Sequence, residues 1–220
     1  FGTDGARGVA CSELSVELAV QIGRAAGMVV SDRVHQRKPR FLIGWDTRIS
    51  WGLLSSAITA GLCSVGVDVE LLGVVPTPAV AYLVRQGGFD AGVMLSASHN
   101  PYEYNGIKLF GPTGFKLSDR EEEEIESIIL DHSRPVMLKT GGEIGSILPA
   151  GSQTEDYIRH ICDAAPAGLE GLRLLIDCAN GSASATAREI FTRLGAQVEL
   201  IGDRPNGINI NDRCGSTHIQ

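Results

Sequence analysis

The sequence predicts an α/β fold built as two similar domains, the second incomplete. A strand–acid–helix–strand unit occurs twice. Phe41-Leu42-Ile43-Gly44-Trp45-Asp46, a helix and Val67 to Leu72 form one copy; Leu174-Leu175-Ile176-Asp177, a helix and Val198 to Ile201 form the other. Each copy closes as a right-handed parallel crossover, and both second strands lie between glycines, Gly66 with Gly73 and Gly195 with Gly202. With 220 residues and 43% hydrophobic content, the chain can bury one or two cores. The expected boundaries are a first domain at 1–135, a linker at 136–151 and a second domain at 152–220. Phe1-Gly2 is not a natural start and Gly215 to Gln220 carries no stop pattern, so both ends are expected to be cut.

Taken in order, Phe1-Gly2-Thr3-Asp4-Gly5-Ala6-Arg7-Gly8 is expected to be a loop. Its glycines let backbone amides and Arg7 approach a phosphate, or leave Arg7 a solvated terminal cation. Leu14, Leu18, Ile22, Ala25, Ala26 and Val29 recur at helical spacing behind Ser15 as N-cap. A strand follows at 40–44, a polar turn at Asp46-Thr47-Arg48, and a helix through Leu53, Leu54, Ala57, Ile58, Gly61, Leu62 and Val65. After the strand at 67–72, Thr77 as N-cap and Pro78 at the first helical position open a helix to about residue 85. Ala91 to Leu95 is a buried strand. Asn105-Gly106 marks a tight turn, and 107–110 resumes as strand with Lys108 inside it. Ser118-x-x-Glu121 is a capping box, with Glu121 to Glu124 and Glu126 on a solvated helix face. Residues 131–151 show little periodicity. Ser152-x-x-Glu155 is a second capping box, before a helix through Tyr157, Ile158, Ile161 and Cys162. A strand at 172–177, a small-residue turn at 179–183, a helix face of Ala187, Ile190, Phe191 and Leu194, and a strand at 198–201 complete the chain.

The net charge of −7 argues against a nucleic-acid or anionic-membrane partner, although local cations can still bind an anionic substrate. No apolar run approaches the ~18 residues of a membrane span and no secretory leader is present, so a cytoplasmic protein is expected. The five cysteines are odd in number, widely spaced and without a CxxC pair, which fits structural thiols in a reducing compartment. His35, His99, His132, His160 and His218 lack metal-ligand spacing, and neither a Walker loop nor GxGxxG occurs.

Ser98 is the leading candidate for a covalent centre. It lies where the strand at 91–95 breaks into Ser96-Ala97-Ser98-His99-Asn100-Pro101, a polar loop held between core strands. Serine needs a base or must arrive phosphorylated. No glycine flanks either serine, so the elbow of α/β-hydrolases is missing, and His99 as a chain neighbour is not evidence of a dyad, since neighbouring side chains usually diverge. A loop-capping hydroxyl is the plain alternative. Lys108 must reach solvent, a partner or a ligand, because burying it unpaired is costly; an edge lysine reaching solvent is the plain reading. Asp46, Ser98 and Asp177 all fall at carboxyl ends of strands, where ligands of such sheets bind.

Ser96 to Pro101 followed by Asn105-Gly106-Ile107-Lys108 resembles the phosphoserine loop of the α-D-phosphohexomutases. The likeness extends over Phe1 to Gly8, Asp46-Thr47-Arg48, Thr77-Pro78, Gly114-Phe115-Lys116-Leu117, Asp177 to Gly181 and Asn206 to His218. The opening motif and Cys214-Gly215-Ser216-Thr217-His218 look most like the glucosamine-phosphate branch. The resemblance implies three-layer α/β domains with mixed sheets. It implies an isomerase acting on a hexosamine phosphate: phosphorylated Ser98 converts glucosamine 6-phosphate to the 1-phosphate through a 1,6-bisphosphate. Arg7, His99, Asn100 and Lys108 would steady the phosphoryl group, with Lys108 in proton transfer. Mg²⁺ would sit on the Ser98 phosphate, its Asp ligands expected beyond Gln220, so the chain alone should bind Mg²⁺ weakly and not turn over. A homodimer is compatible. A glucose- or mannose-phosphate mutase of the same fold and a non-catalytic phosphosugar-binding protein stay open. Trp45 and Trp51 depart from the family pattern on either side of the Asp46-Arg48 turn, which puts the packing of that turn in question.

Overall fold

The computed structural model describes residues 5–149, 151–165 and 167–218. Its main sheet has six strands: β1 (Ala6–Val9), β2 (Arg40–Trp45), β3 (Asp68–Val74), β4 (Ala91–Leu95), β5 (Tyr104–Phe110) and β6 (Ile147–Leu148). The spatial order is β1-β5-β4-β2-β3-β6. β1 and β5 run antiparallel to each other and β5 antiparallel to β4, while β4, β2, β3 and β6 are mutually parallel. The sheet is therefore mixed, as the resemblance implied. Both copies of the repeated unit form parallel crossovers, the second from β7 (Arg173–Asp177) to β8 (Gln197–Ile201) as a two-stranded sheet.

Two apolar layers enclose the main sheet. On one face Phe41, Ile43 and Trp45 of β2 pack with Val93 and Leu95 of β4 against α1 (Val16–Ser31), α2 (Trp51–Ser64) and α4 (Asp119–Leu130). Alternation sends Leu42 and Met94 to the other face, against α3 (Thr77–Gln86). The helices of the second unit, α5 (Gln153–Asp163) and α6 (Ala187–Arg193), join that layer through Tyr157, Ile158, Ile190 and Leu194. α1 and α2 cross at Gly23 and Gly61. A Cβ on Gly23 would lie 2.5 Å from the Ile58 carbonyl oxygen, and one on Gly61 2.4 Å from that of Val20. Backbone therefore packs on backbone there.

Several local expectations need correction. The part of the opening motif that falls on Phe1 to Asp4 lies outside the described residues, but Arg7 stands in strand β1, because Ala6–Val9 finds partners along β5. Asn105 and Gly106 make no turn: they lie inside β5, opposite Gly8 and Arg7. Pro76, not Thr77, is the N-cap of α3, since Thr77 already has helical geometry. Ser118 and Glu121 do form a capping box, but Ser152 makes no cap bond and its hydroxyl goes to Asp156 instead. Glu122 is buried and paired with Lys116 at 2.7 Å, so the α4 acids are not a uniformly solvated face. Within 136–151, residues 147–148 pair with β3 and extend the sheet.

Candidate active site

The carboxyl ends of β2, β4 and β7 converge on a cavity of about 400 Å³, lined among others by Asp46, Ser96, Ser98, His99, Asp177 and Cys178. Convergence follows from topology. β4 and β2 are parallel neighbours, so their carboxyl ends emerge side by side, and the second unit brings the end of β7 to the same place.

The site is assembled around Arg48, which has no exposed surface. Its Nε donates to Asp46 Oδ2 at 3.0 Å and its amide to Asp46 Oδ1 at 3.1 Å. The rest of the guanidinium reaches the serine loop: Nη2 donates to the carbonyls of Ser98 and Asn100, both at 2.9 Å, and Nη1 to that of Pro101. A planar fork with several donors suits this task, where a lysine would reach fewer acceptors. Burial pulls the Arg48 guanidinium below its ordinary pKa; Asp46 opposes that and the charge of Arg7 adds to it. Asp46 completes the link from the other side: its Oδ2 accepts from the Ser96 hydroxyl at 2.7 Å, and Ser96 Oγ accepts from the Ser98 amide at 3.1 Å. The loop is thus held through both its hydroxyl side chain and its carbonyls. The sequence marked Asp46 at a strand end and Asp46-Thr47-Arg48 as a matched turn, but not the grip on the serine loop, whose acceptors lie some fifty residues away.

Ser98 has φ +55°, in the left-handed region that a serine seldom occupies. Such strain persists only where surroundings over-determine it, and the bonds from Arg48 and Ser96 do so. His99 lines the cavity beside it, but among the described residues no hydrogen bond joins His99 to the Ser98 hydroxyl, so no Ser–His dyad is built. Asn100 contributes backbone: its amide donates to Ala97 O at 3.1 Å and its carbonyl accepts from Arg48.

Arg7 and Lys108 do not line this cavity. Strand register nevertheless puts them on one sheet face with Ser96. Arg7 lies opposite Gly106, the Ser96 amide donates to the Gly106 carbonyl, and Lys108 lies opposite Met94. Residues at i and j+2 on paired strands are about 7–8 Å apart, so the two cations are diagonal neighbours in the rows leading to the loop. Gly106 keeps this row open, since a Cβ there would stand 2.7 Å from the Ser96 carbonyl oxygen. β5 is an inner strand, so Lys108 is no edge lysine.

The second unit supplies further residues, of which Asn211 appeared in the sequence only within a matched motif. Asn211 donates from its carboxamide to the carbonyls of Ser98, at 2.9 Å, and Asn100, at 3.1 Å. The Thr47 hydroxyl donates to Asn180 O, and the Ile49 amide to Gly207 O at 2.7 Å. Asp177 accepts from the amides of Ala179 and Gly215, at 2.8 and 2.6 Å, so its carboxylate holds backbone. Burial pushes the Cys178 and Cys214 thiols up, with Asp203 and Asp177 adding for the first and Asp177 and Asp212 for the second. Trp45 and Trp51 stack with centroids 4.7 Å apart and planes 5° from parallel. The turn between them is braced by the two residues that depart from the pattern.

A divalent metal finds no ready cage here. Among the described residues no group of three or more His, Cys, Asp or Glu side chains could hold one, and the Asp46 and Asp177 carboxylates are already engaged. No helix among them is long and apolar enough to cross a membrane.

Comparison with known proteins adds an independent line. Residues 1–135 match the model of the phosphoglucomutase/phosphomannomutase α/β/α domain I. A phosphoglucosamine mutase from Acetivibrio thermocellus is 51% identical over 220 residues, covering 100% of this chain and 49% of that protein. One from Pelotomaculum thermopropionicum is 50% identical over 218 residues, 99% of this chain and 48% of that protein. The chain spans about half the length of the curated relatives it matches. Among solved structures, a putative phosphomannomutase from Thermus thermophilus superposes with a TM-score of 0.78 at 26% identity, over 94% of this chain and 46% of that one. A phosphoglucomutase/phosphomannomutase family protein from Burkholderia thailandensis gives 0.74 at 27% identity, over 91% and 43%.

Proposed function

Since the chain belongs to the phosphoglucomutase/phosphomannomutase family, we propose that it carries the phosphoserine half of an isomerase interconverting glucosamine 6-phosphate and glucosamine 1-phosphate. The observation that carries this reading is Ser98 held at φ +55° on a loop whose carbonyls are gripped by a buried arginine, at the rim of a cavity at the strand ends. A residue that carries a phosphoryl group between two sugar positions needs fixed placement more than a neighbouring base. Relatives named phosphoglucosamine mutase at 50–51% identity support the amino-sugar substrate over a glucose or mannose phosphate.

In this scheme Ser98 rests as a phosphoserine. The free hydroxyl of glucosamine 6-phosphate attacks phosphorus, a P–O bond to the sugar forms and the P–Oγ bond breaks. The hydroxyl proton ends on Ser98 Oγ, with Lys108 as relay. The 1,6-bisphosphate turns round and returns its 6-phosphate to Ser98 by the same step, leaving glucosamine 1-phosphate. Arg7, His99 and Asn100 steady the charge on the phosphoryl oxygens. Mg²⁺, when bound, would neutralise charge on the phosphoryl oxygens. The described side chains do not by themselves fit it, and calorimetric titration of this chain should give weak binding. A cytoplasmic setting belongs to the same proposal.

The test is Ser98→Ala in the complete protein, assayed for conversion of glucosamine 6-phosphate. Loss of turnover is expected. Undiminished turnover would reject Ser98 as the phosphoryl carrier, and absence of turnover in the unsubstituted protein as well would leave a phosphosugar-binding protein.

A further inference from the structure

The serine loop is gripped from two directions. From beneath, Arg48 donates to the carbonyls of Ser98 and Asn100; from the second unit, the Asn211 carboxamide donates to the same two carbonyls, at 2.9 and 3.1 Å. Each carbonyl oxygen has two lone pairs, so both donors can be served at once. Asn211 is itself fixed. Its φ is +59°, a conformation that Asn tolerates better than most residues, and its amide donates to Ala179 O at 2.9 Å. Ala179 is in turn tied to the Asp177 carboxylate at the end of β7, which also holds the amide of Gly215. An unbroken line of hydrogen bonds therefore runs from the strand end of the second unit to the backbone of Ser98.

We infer that Asn211 is a positioning residue: it locks the Ser98 loop in its left-handed conformation and makes phosphoryl transfer depend on the second unit being docked. This rests on the phosphoserine reading above. Arg48 and the Ser96–Asp46 link hold the loop from the first unit only. Asn211 closes the other side; it lines the cavity, but its carboxamide donors are spent on the two loop carbonyls, so its loss should slow transfer more than it weakens sugar-phosphate binding.

The experiment uses the complete protein with Asn211→Gly, which keeps the left-handed backbone and removes both donors, and Asn211→Asp, which sets a carboxylate oxygen against the two carbonyls. Turnover of glucosamine 6-phosphate and hydrogen exchange at the Ser98 to Asn100 amides are measured. We expect kcat to fall about tenfold to a hundredfold in Asn211→Gly, further in Asn211→Asp, with KM within about twofold and faster exchange in the loop. A merely structural role would lower the unfolding midpoint without this split between kcat and KM. Should Asn211→Gly fail to fold, Asn211→Ser, a shorter polar side chain that cannot span both carbonyls, carries the same expectation. Ser98→Ala is run in parallel. If it is inactive while Asn211→Gly keeps wild-type kcat and loop exchange, the Asn211 inference alone falls. If Ser98→Ala keeps full turnover, the phosphoserine reading falls and this inference with it.

Discussion

Arg48 ties the serine loop to the end of β2. It is wholly buried, it neutralises Asp46 at 3.0 Å, and its remaining donors end on the serine loop. Removing one partner of such a pair leaves an uncompensated buried charge and costs about 3–5 kcal/mol. Arg48→Ala is therefore expected to lower stability by that amount in urea titrations. Arg48→Lys keeps the charge but loses the fork, and should retain more stability while still losing phosphoryl transfer at Ser98. Equal activity of Arg48→Lys and wild type would remove the clamp from the account. Ser98 itself could be picked out in the sequence from the polar break after a buried strand. Its left-handed φ could not, because nothing local marks it: the cause is Arg48 and Asp46 at a separation of fifty residues and Asn211 at more than a hundred.

At the scale of elements, capping and strand pairing explain what local patterns caught and what they missed. The α4 capping box was legible because both halves lie within four residues: Ser118 accepts from the Glu121 amide and Glu121 accepts from the Ser118 amide. Burial works to raise the Glu121 carboxyl, but the bonds from Ser118 and the charge of Arg33 outweigh it, so its pKa is lowered in the fold. Its contribution is complete above the ordinary value of 4.5 and is lost as pH falls through the lower folded value. Glu121→Gln should flatten that part of the acid-side stability loss in pH-dependent melts, and Ser118→Ala should cost about 1 kcal/mol at neutral pH. An unchanged acid limb in Glu121→Gln would contradict the assignment. Asn105-Gly106 shows the limit of the same reasoning. The dipeptide favours a turn, but β1 offers it ladder partners, the Ser96 amide donates to the Gly106 carbonyl on the other side, and Ser50 takes up the Asn105 side chain at 2.9 Å.

For the whole molecule, the repeat was the strongest sequence signal and the relation between its copies the weakest. Two parallel crossovers could be read from strand–acid–helix–strand order. That the second unit would lay α5 on α3, with α6 against α5, could not, because Tyr157, Ile158, Ile190 and Leu194 look like any helix face until the layer they share with α3 is known. This shared layer predicts one cooperative transition: denaturant curves followed by the fluorescence of Trp45 and Trp51 and by far-UV dichroism should coincide. Two resolved transitions would mean that the units unfold apart and that Asn211 cannot hold the loop as described.

The central claim, that Ser98 carries the phosphoryl group, is tested most directly by mass. The complete protein is incubated with glucosamine 1,6-bisphosphate, and intact mass and peptide mapping follow. The account predicts an adduct of about 80 Da on Ser98, lost on adding excess glucosamine 6-phosphate. An active protein with unmodified Ser98, or with the phosphoryl group on another residue, would contradict it.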